Sequence, residues 1–183
     1  DAAIELFRSN PYQQVSVNDI CEKAGVTRNS FYYYFDNKDI IFDAIGDWCS
    51  HTAKDRLTEV FSYGNPYQQV WLIYKLYIET QLTLGPEIIN HVLYSRSMKG
   101  SSDYYSYIDN NLEKAITRLI AAAQTSGIIR NESSATDLLW TSYAIIRGVN
   151  IKWCFQWGES DIISEAKEAL DTLFMPNDGY KLY

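Results

Sequence analysis

A chain of 183 residues, 46% of them apolar and 15% aromatic, is long enough for one domain or two small ones and has ample material for a core. No run approaches the ~20 apolar residues that a membrane-spanning helix needs, and no basic stretch followed by an apolar one marks a secretion signal. The net charge of −7 argues against a uniformly basic nucleic-acid binder, and three scattered cysteines (Cys21, Cys49, Cys154) argue against a disulfide framework and fit a cytoplasmic protein. The chain opens at Asp1, inside what already reads as a first helix, so further residues are expected before it. Val17, Ile20, Cys21 and Ala24 then fall at i, i+3, i+4 and i+7, one apolar stripe of a second helix. Ser16, with Asp19 three residues on, makes a capping-box start. Gly25 can take the positive φ of a helix stop, Val26 can plug the corner, and Thr27 can cap the next helix.

Five consecutive aromatics follow, Phe31 to Phe35. At 3.6 residues per turn they go round the whole helix and cannot all be core. Phe31 and Phe35 share one face, with Tyr34 beside them. Arg28 and Tyr32 share another, with Asn29 and Tyr33 adjacent. Helix, short Gly-containing turn, helix with one polar aromatic face is the plan of a DNA-reading helix-turn-helix. Arg28 can reach a guanine edge in the major groove, and Asn18 and Asn29 can reach its neighbours.

At these residues the sequence resembles the TetR family of bacterial transcriptional regulators. The resemblance rests on AlaAlaIleGluLeuPhe (Ala2–Phe7), Ser16–Ile20, IleCysGluLysAlaGlyValThr, SerPheTyrTyrTyrPhe and AsnLysAspIleIlePhe, all in the N-terminal quarter. The rest agrees in length, helical pattern and order. The family's small residue and Leu before the first Tyr are here Ser30 and Phe31. The resemblance implies an all-α protein of about nine helices. Residues 1–46 would form a three-helix helix-turn-helix DNA-binding domain, and 47–183 a larger effector-binding and dimerisation domain. It also implies contacts, mostly to phosphate, from Thr27, Ser30, Tyr32, Tyr33 and Lys38, with Ser16 and Val17 at the matching place on the second helix. The implied partners are a double-stranded DNA operator, a small-molecule effector and a second copy of the chain. Repression is the implied outcome. A transcriptional activator or co-regulator of the same fold is the alternative, and a helical adaptor binding only protein a remoter one.

The charge of the head has to be reconciled with this. Residues 1–46 carry Arg8, Lys23, Arg28 and Lys38 against seven acids. The local field at the contact face is what counts, and Arg28 and Lys38 can lie there while Asp36, Asp39 and Asp43 point away.

Beyond the head the pattern is helical throughout, with Pro and Gly between periodic segments. Asn37 can cap a fourth helix running from Lys38 to about Phe61. GlyAsnPro (Gly64–Pro66) is a stop followed by a start. Tyr67, Val70, Trp71, Tyr74, Tyr77 and Ile78 stripe a fifth helix, and Gly85-Pro86 opens a sixth to about Met98. Ile108 to Ala123 makes a seventh that ends at Gly127. Ser133 or Ser134 caps an eighth, running to Gly158, and Ser160 caps a ninth. The eighth is apolar on nearly every side, so it must be buried all round. Either the domain's own core does this, or a second subunit covers one face. Small Ala166 and Ala169 on the ninth would allow close approach of a partner.

Aromatics crowd the fifth to eighth helices. Such stripes are commonly plain core, yet each Tyr hydroxyl needs a partner. An apolar wall with several polar tips is the make-up of a small-molecule pocket, and in the resembled family the inducer site lies there. Its candidates are Trp71, Tyr74, Tyr77, Glu79, Gln81, His91, Tyr94, Tyr107, Trp140 and Tyr143. A flat apolar or aromatic ligand suits them, and a cation is possible through ring faces and an acid. Nothing points to catalysis or a resident cofactor. The two histidines, His51 and His91, are isolated. No GlyxSerxGly, HisGluxxHis or phosphate loop appears, and Cys49 and His51 do not share a helix face.

Overall fold

The computed structural model describes residues 1–55, 60, 62, 64–98 and 110–182. Among them nine α-helices follow one another: α1 (Ala2–Ser9), α2 (Val17–Ala24), α3 (Arg28–Tyr34), α4 (Ile40–Asp55), α5 (Pro66–Leu84), α6 (Pro86–Met98), α7 (Asn110–Thr125), α8 (Ala135–Phe155) and α9 (Ile162–Phe174). The proposed end of the fourth helix, near Phe61, and start of the seventh, near Ile108, lie outside the described residues, as does the candidate ligand contact Tyr107.

Local chemistry sets most boundaries. Asn37 Oδ1 accepts from the amides of Asp39 and Ile40 ahead of α4. Asn65 and Gln68 form a reciprocal capping box, with Pro66 at the first helical position of α5, where a missing N–H costs nothing. Ser134 accepts from the Asp137 amide to start α8. The ninth helix starts differently from expectation. Asp161, not Ser160, takes the Ser164 amide, while Ser160 Oγ is buried without a hydrogen-bond partner. A carboxylate beside a helix N-terminus also gains from the helix dipole, which a hydroxyl does not.

α1 packs on α2 and α2 on α3, around Phe7, Val15, Ile20, Cys21 and Phe31. This head continues into a larger body through α4, whose Ile41, Phe42, Ile45 and Cys49 are buried. α4 lies on α5 and α6, α5 on α7, and α8 on α6, α7 and α9. A short antiparallel bridge, Ile129 to Pro176, ties the start of the α7–α8 connection to the tail after α9. Tyr67 Oη donates to Asp171 at 2.7 Å, joining α5 to α9. All three cysteines are buried and free, and burial pushes the Cys154 thiol up to about 11.

α8 is two-sided rather than sealed all round. Leu138, Leu139, Ser142, Tyr143, Ile146, Arg147, Asn150, Trp153 and Cys154 face inward, whereas Ala144, Gly148, Ile151 and Phe155 form an exposed stripe. On α9, Ala166 is fully buried in this chain's own core and only Ala169 remains half-exposed. Close approach through Ala166 is therefore corrected: the stripe on α8 is the open small-residue face.

Head and body are bolted together at α6. The Phe42 ring stacks on His91, with centroids 4.8 Å apart and planes 10° apart, and lies 5.2 Å from Phe7. Tyr12 covers His91 at 4.6 Å and donates its hydroxyl to Asp39. Arg8 donates to the Thr83 carbonyl at the end of α5, and Ser95 Oγ donates to Asp43 at 3.0 Å. His91, a candidate ligand contact by sequence, is thus placed at the junction of head and body. A fit between two aromatic rings is a long-range contact that helical spacing does not encode.

Burial holds the His91 imidazole below its ordinary value of 6.5, and nearby Lys38 lowers it further, against the pull of Glu87 and Asp39. The folded chain thus disfavours the charged ring, and the unfolded chain takes the proton first as pH falls. This contribution is complete above the ring's ordinary value and is lost below it. Melting followed from about pH 7.5 to about pH 5.5 should show a decline that is shallower in His91→Gln. Equal slopes in the two proteins would remove His91 as its source.

Candidate functional site

Sequence builds the helix-turn-helix from its caps. The Asp19 amide donates to Ser16 Oγ at 3.2 Å and the Ser16 amide to Asp19 Oδ2 at 2.7 Å, closing the capping box. Those bonds hold the Asp19 carboxyl below its usual range. Gly25 stops α2 at φ 67°, a left-handed geometry that a side chain disfavours. The Val26 amide then closes back on the Cys21 carbonyl at 3.0 Å. Thr27 Oγ1 accepts from the Ser30 amide and lies 2.9 Å from Ser30 Oγ. Val26 does not plug the corner. It is 45% exposed and, with Tyr34 and Trp48, lines an apolar groove over Phe31, Ile41 and Ile45.

The two faces of α3 separate clearly. Phe31 is buried and packs on half-buried Phe35, with centroids 5.3 Å apart. Tyr34 does not join them and is 74% exposed. Thr27, Arg28, Asn29 and Ser30 are exposed, as are Tyr32 at 46% and Tyr33 at 80%. The Arg28 guanidinium lies 5.8 Å from the Tyr32 ring centroid, a cation–π contact that narrows where the guanidinium can point. Asn18 is exposed and Ser16 is exposed but occupied as a cap, while Val17 is half-buried against the head core.

Lys38 is the departure in this set. Its Nζ donates to the carbonyls of Tyr12 and Val15, both at 2.7 Å, and sits 3.8 Å from the Tyr12 ring centroid. Burial lowers its pKa, with Asp39 opposing. These partners lie 23 and 26 residues away in sequence, so no local pattern announces them.

Of the candidate ligand contacts, Trp71, Tyr74, Gln81 and Tyr143 are buried. Tyr74 Oη and Ser142 Oγ are 2.6 Å apart, linking α5 to α8, and desolvation raises the phenol's pKa. Tyr77 and Trp140 are half-buried, Trp140 edge-on to Tyr143 at 6.3 Å. Trp71 faces α9, where Lys167 Nζ lies 5.9 Å from the ring centroid. Two candidates fall away from any enclosed space: Tyr94 is 62% exposed, and Glu79 is partly exposed and pairs with Lys75 at 3.5 Å. Residues missed by the sequence reading are Asn150, Ser142 and Arg147, all buried on α8. The signal was a set of polar residues inside an apolar run. Among the described residues no group of three or more His, Cys, Asp or Glu could hold a metal, and no helix is long and apolar enough to cross a membrane.

This geometry has counterparts. A family model described as bacterial regulatory proteins, tetR family, matches residues 1–45. The probable acrEF/envCD operon repressor of Escherichia coli is 22% identical over 98% of this chain and 86% of that protein. The HTH-type transcriptional regulator TtgR of Pseudomonas putida is 23% identical over 94% and 86%. The head, residues 1–45, is that of the TetR family. Among solved structures, Thermus thermophilus FadR, a TetR-family transcriptional repressor in complex with lauroyl-CoA, aligns with a TM-score of 0.68. Its identity is 18%, over 94% of this chain and 89% of that one. The all-helical TetR fold thus extends through the body, and the protein is a DNA-binding transcriptional regulator.

Within this TetR-family head, the Lys38 geometry separates two roles. If its ammonium serves the Tyr12 and Val15 carbonyls, Lys38→Met should cost about 1–3 kcal/mol of stability through lost charged hydrogen bonds. The salt slope of DNA binding, which scales with phosphates neutralised, should not change. A slope shallower by about 0.9, with melting unchanged, would restore Lys38 as a phosphate contact.

Proposed function

We propose that the protein is a homodimeric repressor, released from a palindromic operator by a small apolar or aromatic effector. Residues 1–46 serve as the DNA-binding head and 47–183 as the effector-binding and dimerisation body. The observation that carries the reading is the outward face of α3, where Arg28, Asn29, Tyr32 and Tyr33 stand exposed on a helix anchored by buried Phe31. A dimer sets two such helices in successive major grooves ~34–36 Å apart. The relatives described as repressors support the sign of regulation.

The acidic balance of the head does not oppose this. Asp39 and Asp43 accept from Tyr12 and Ser95, Asp19 from Ser16, and Glu5 pairs with Lys23 at 2.7 Å. Four of the seven acids are thereby held by neighbours, and none of those neighbours lies on α3. The exposed α8 stripe Ala144, Gly148, Ile151 and Phe155 supports a second copy as partner. An added Cβ at Gly148 would meet nothing in this chain, so that place is open to another backbone. Coupling runs from the body through α4 and α6 to the head. An effector need only favour a dimer whose head spacing no longer fits B-DNA, at a typical cost of ~1–3 kcal/mol.

A salt-dependent gel shift on DNA upstream of the chain's own gene tests the reading. Arg28→Ala should weaken binding by about 1–3 kcal/mol and relax preference at one base pair per half-site. Unchanged affinity and selectivity would displace the reading face from α3. Phe155→Asp should shift sedimentation at micromolar concentration toward monomer, with operator binding falling as each head loses its tethered partner. A dimer unaffected by that charge would place the seam elsewhere.

A further inference from the structure

Arg28 is the first residue of α3 and stands exposed. Among the described residues no carboxylate or carbonyl holds its guanidinium. An arginine side chain that turns freely carries much rotamer entropy, and fixing it on a base edge costs affinity unless something orders it beforehand. Reading guanine asks for more than reach, because two N–H groups must meet O6 and N7 in one plane.

One neighbour supplies that order. Tyr32 lies four residues on, on the same helix face, and helical side chains lean toward the N-terminus. Its ring therefore leans back over the turn that carries Arg28, and the guanidinium carbon lies 5.8 Å from the ring centroid. The ring is itself held. It meets Phe31 edge-on, with centroids 5.4 Å apart and planes at 85°, and Phe31 is buried in the head core. Tyr33 differs. Its ring meets Tyr34, with centroids 4.8 Å apart, and both of these side chains stand mostly in solvent. A continuous line of contact thus runs from the head core through Phe31 and Tyr32 to Arg28.

We infer that Tyr32 is the positioning residue for base reading: its ring, and not its hydroxyl, orders the Arg28 guanidinium before it meets a guanine edge. The inference rests on α3 being the reading helix. A ring face attracts a cation through its quadrupole, which a phenylalanine ring has as well as a tyrosine ring. The hydroxyl can then donate to a phosphate oxygen, a contact that fixes register and carries no sequence information. The ring contributes to selectivity and the hydroxyl to affinity. An exposed cation–π contact is worth about two- to fivefold in such a preference.

Sites selected from a random-sequence DNA pool by the full chain, and again by Arg28→Ala, identify the base pair that Arg28 reads. The quantity to measure is the ratio of affinities for the selected operator and for the same DNA changed at that pair in one half-site. Because it is a ratio, a change in the amount of folded protein cancels. Tyr32→Leu should lower the ratio about two- to fivefold, and Tyr32→Phe should keep it. Added to Arg28→Ala, Tyr32→Leu should leave the ratio unchanged, since the two side chains act as a unit. Tyr32→Gln, which also lacks a ring, serves if the leucine variant does not fold. The assignment is overturned if the ring-less variant keeps the full ratio, if Tyr32→Phe loses as much as Tyr32→Leu, or if the loss persists without Arg28. In those cases Arg28→Ala still relaxes the preference, and the reading of α3 stands. An Arg28→Ala protein that keeps the wild-type site preference overturns both.

Discussion

The stack of Phe7, Phe42 and His91, with Tyr12 laid over it, is the aromatic joint between head and body. α1 contributes one ring, the short helical turn Tyr12–Gln14 another, α4 a third and α6 the last. Aromatic rings at these separations gain from both burial and quadrupole alignment. They also resist sliding, because tilted and stacked pairs have definite geometries. A movement of α6 or α4 would therefore press on α1 through these rings. The Lys38 ammonium, pinned on the Tyr12 and Val15 carbonyls, stiffens the same corner from the head side. A regulator in which one site must report to another needs such a joint, since a soft one would absorb the signal.

Much of the fold was readable because helices announce their ends. Ser16 with Asp19, Thr27, Asn37, Asn65 with Pro66, and Ser134 all cap where the sequence pattern places a start. Local bonds within three residues decide these points, so a local reading reaches them. The exception is instructive. Ser160 and Asp161 are adjacent and both chemically suitable, and tertiary burial of the serine hands the cap to the aspartate. The buried and exposed sides of α3 were visible for a similar reason, since helical geometry alone separates Phe31 from Arg28, Tyr32 and Tyr33. Tyr34 fell on the boundary between faces and went to solvent.

What the sequence could not show depends on residues far apart in the chain. The Lys38 side chain was legible only as a cation near the recognition helix, yet its partners belong to an earlier connection. His91 was legible only as a polar member of an aromatic region, and its stacking on Phe42 and Tyr12 was not. Asn150 stands in an apolar run and went unnoticed there, because periodicity does not say what a polar residue inside such a run will meet.

The burial of all three cysteines has a practical side. Cys21, Cys49 and Cys154 are each closed off from solvent, and for Cys154 burial further suppresses the reactive thiolate. Thiol-directed reagents therefore find no accessible native target in the folded chain. In the proposed dimer, one cysteine introduced at exposed Asn29 would carry a spin label or a fluorophore on each α3 without any background to subtract. The separation of the two heads could then be followed directly, as a distribution of distances, while DNA and small molecules compete for the protein.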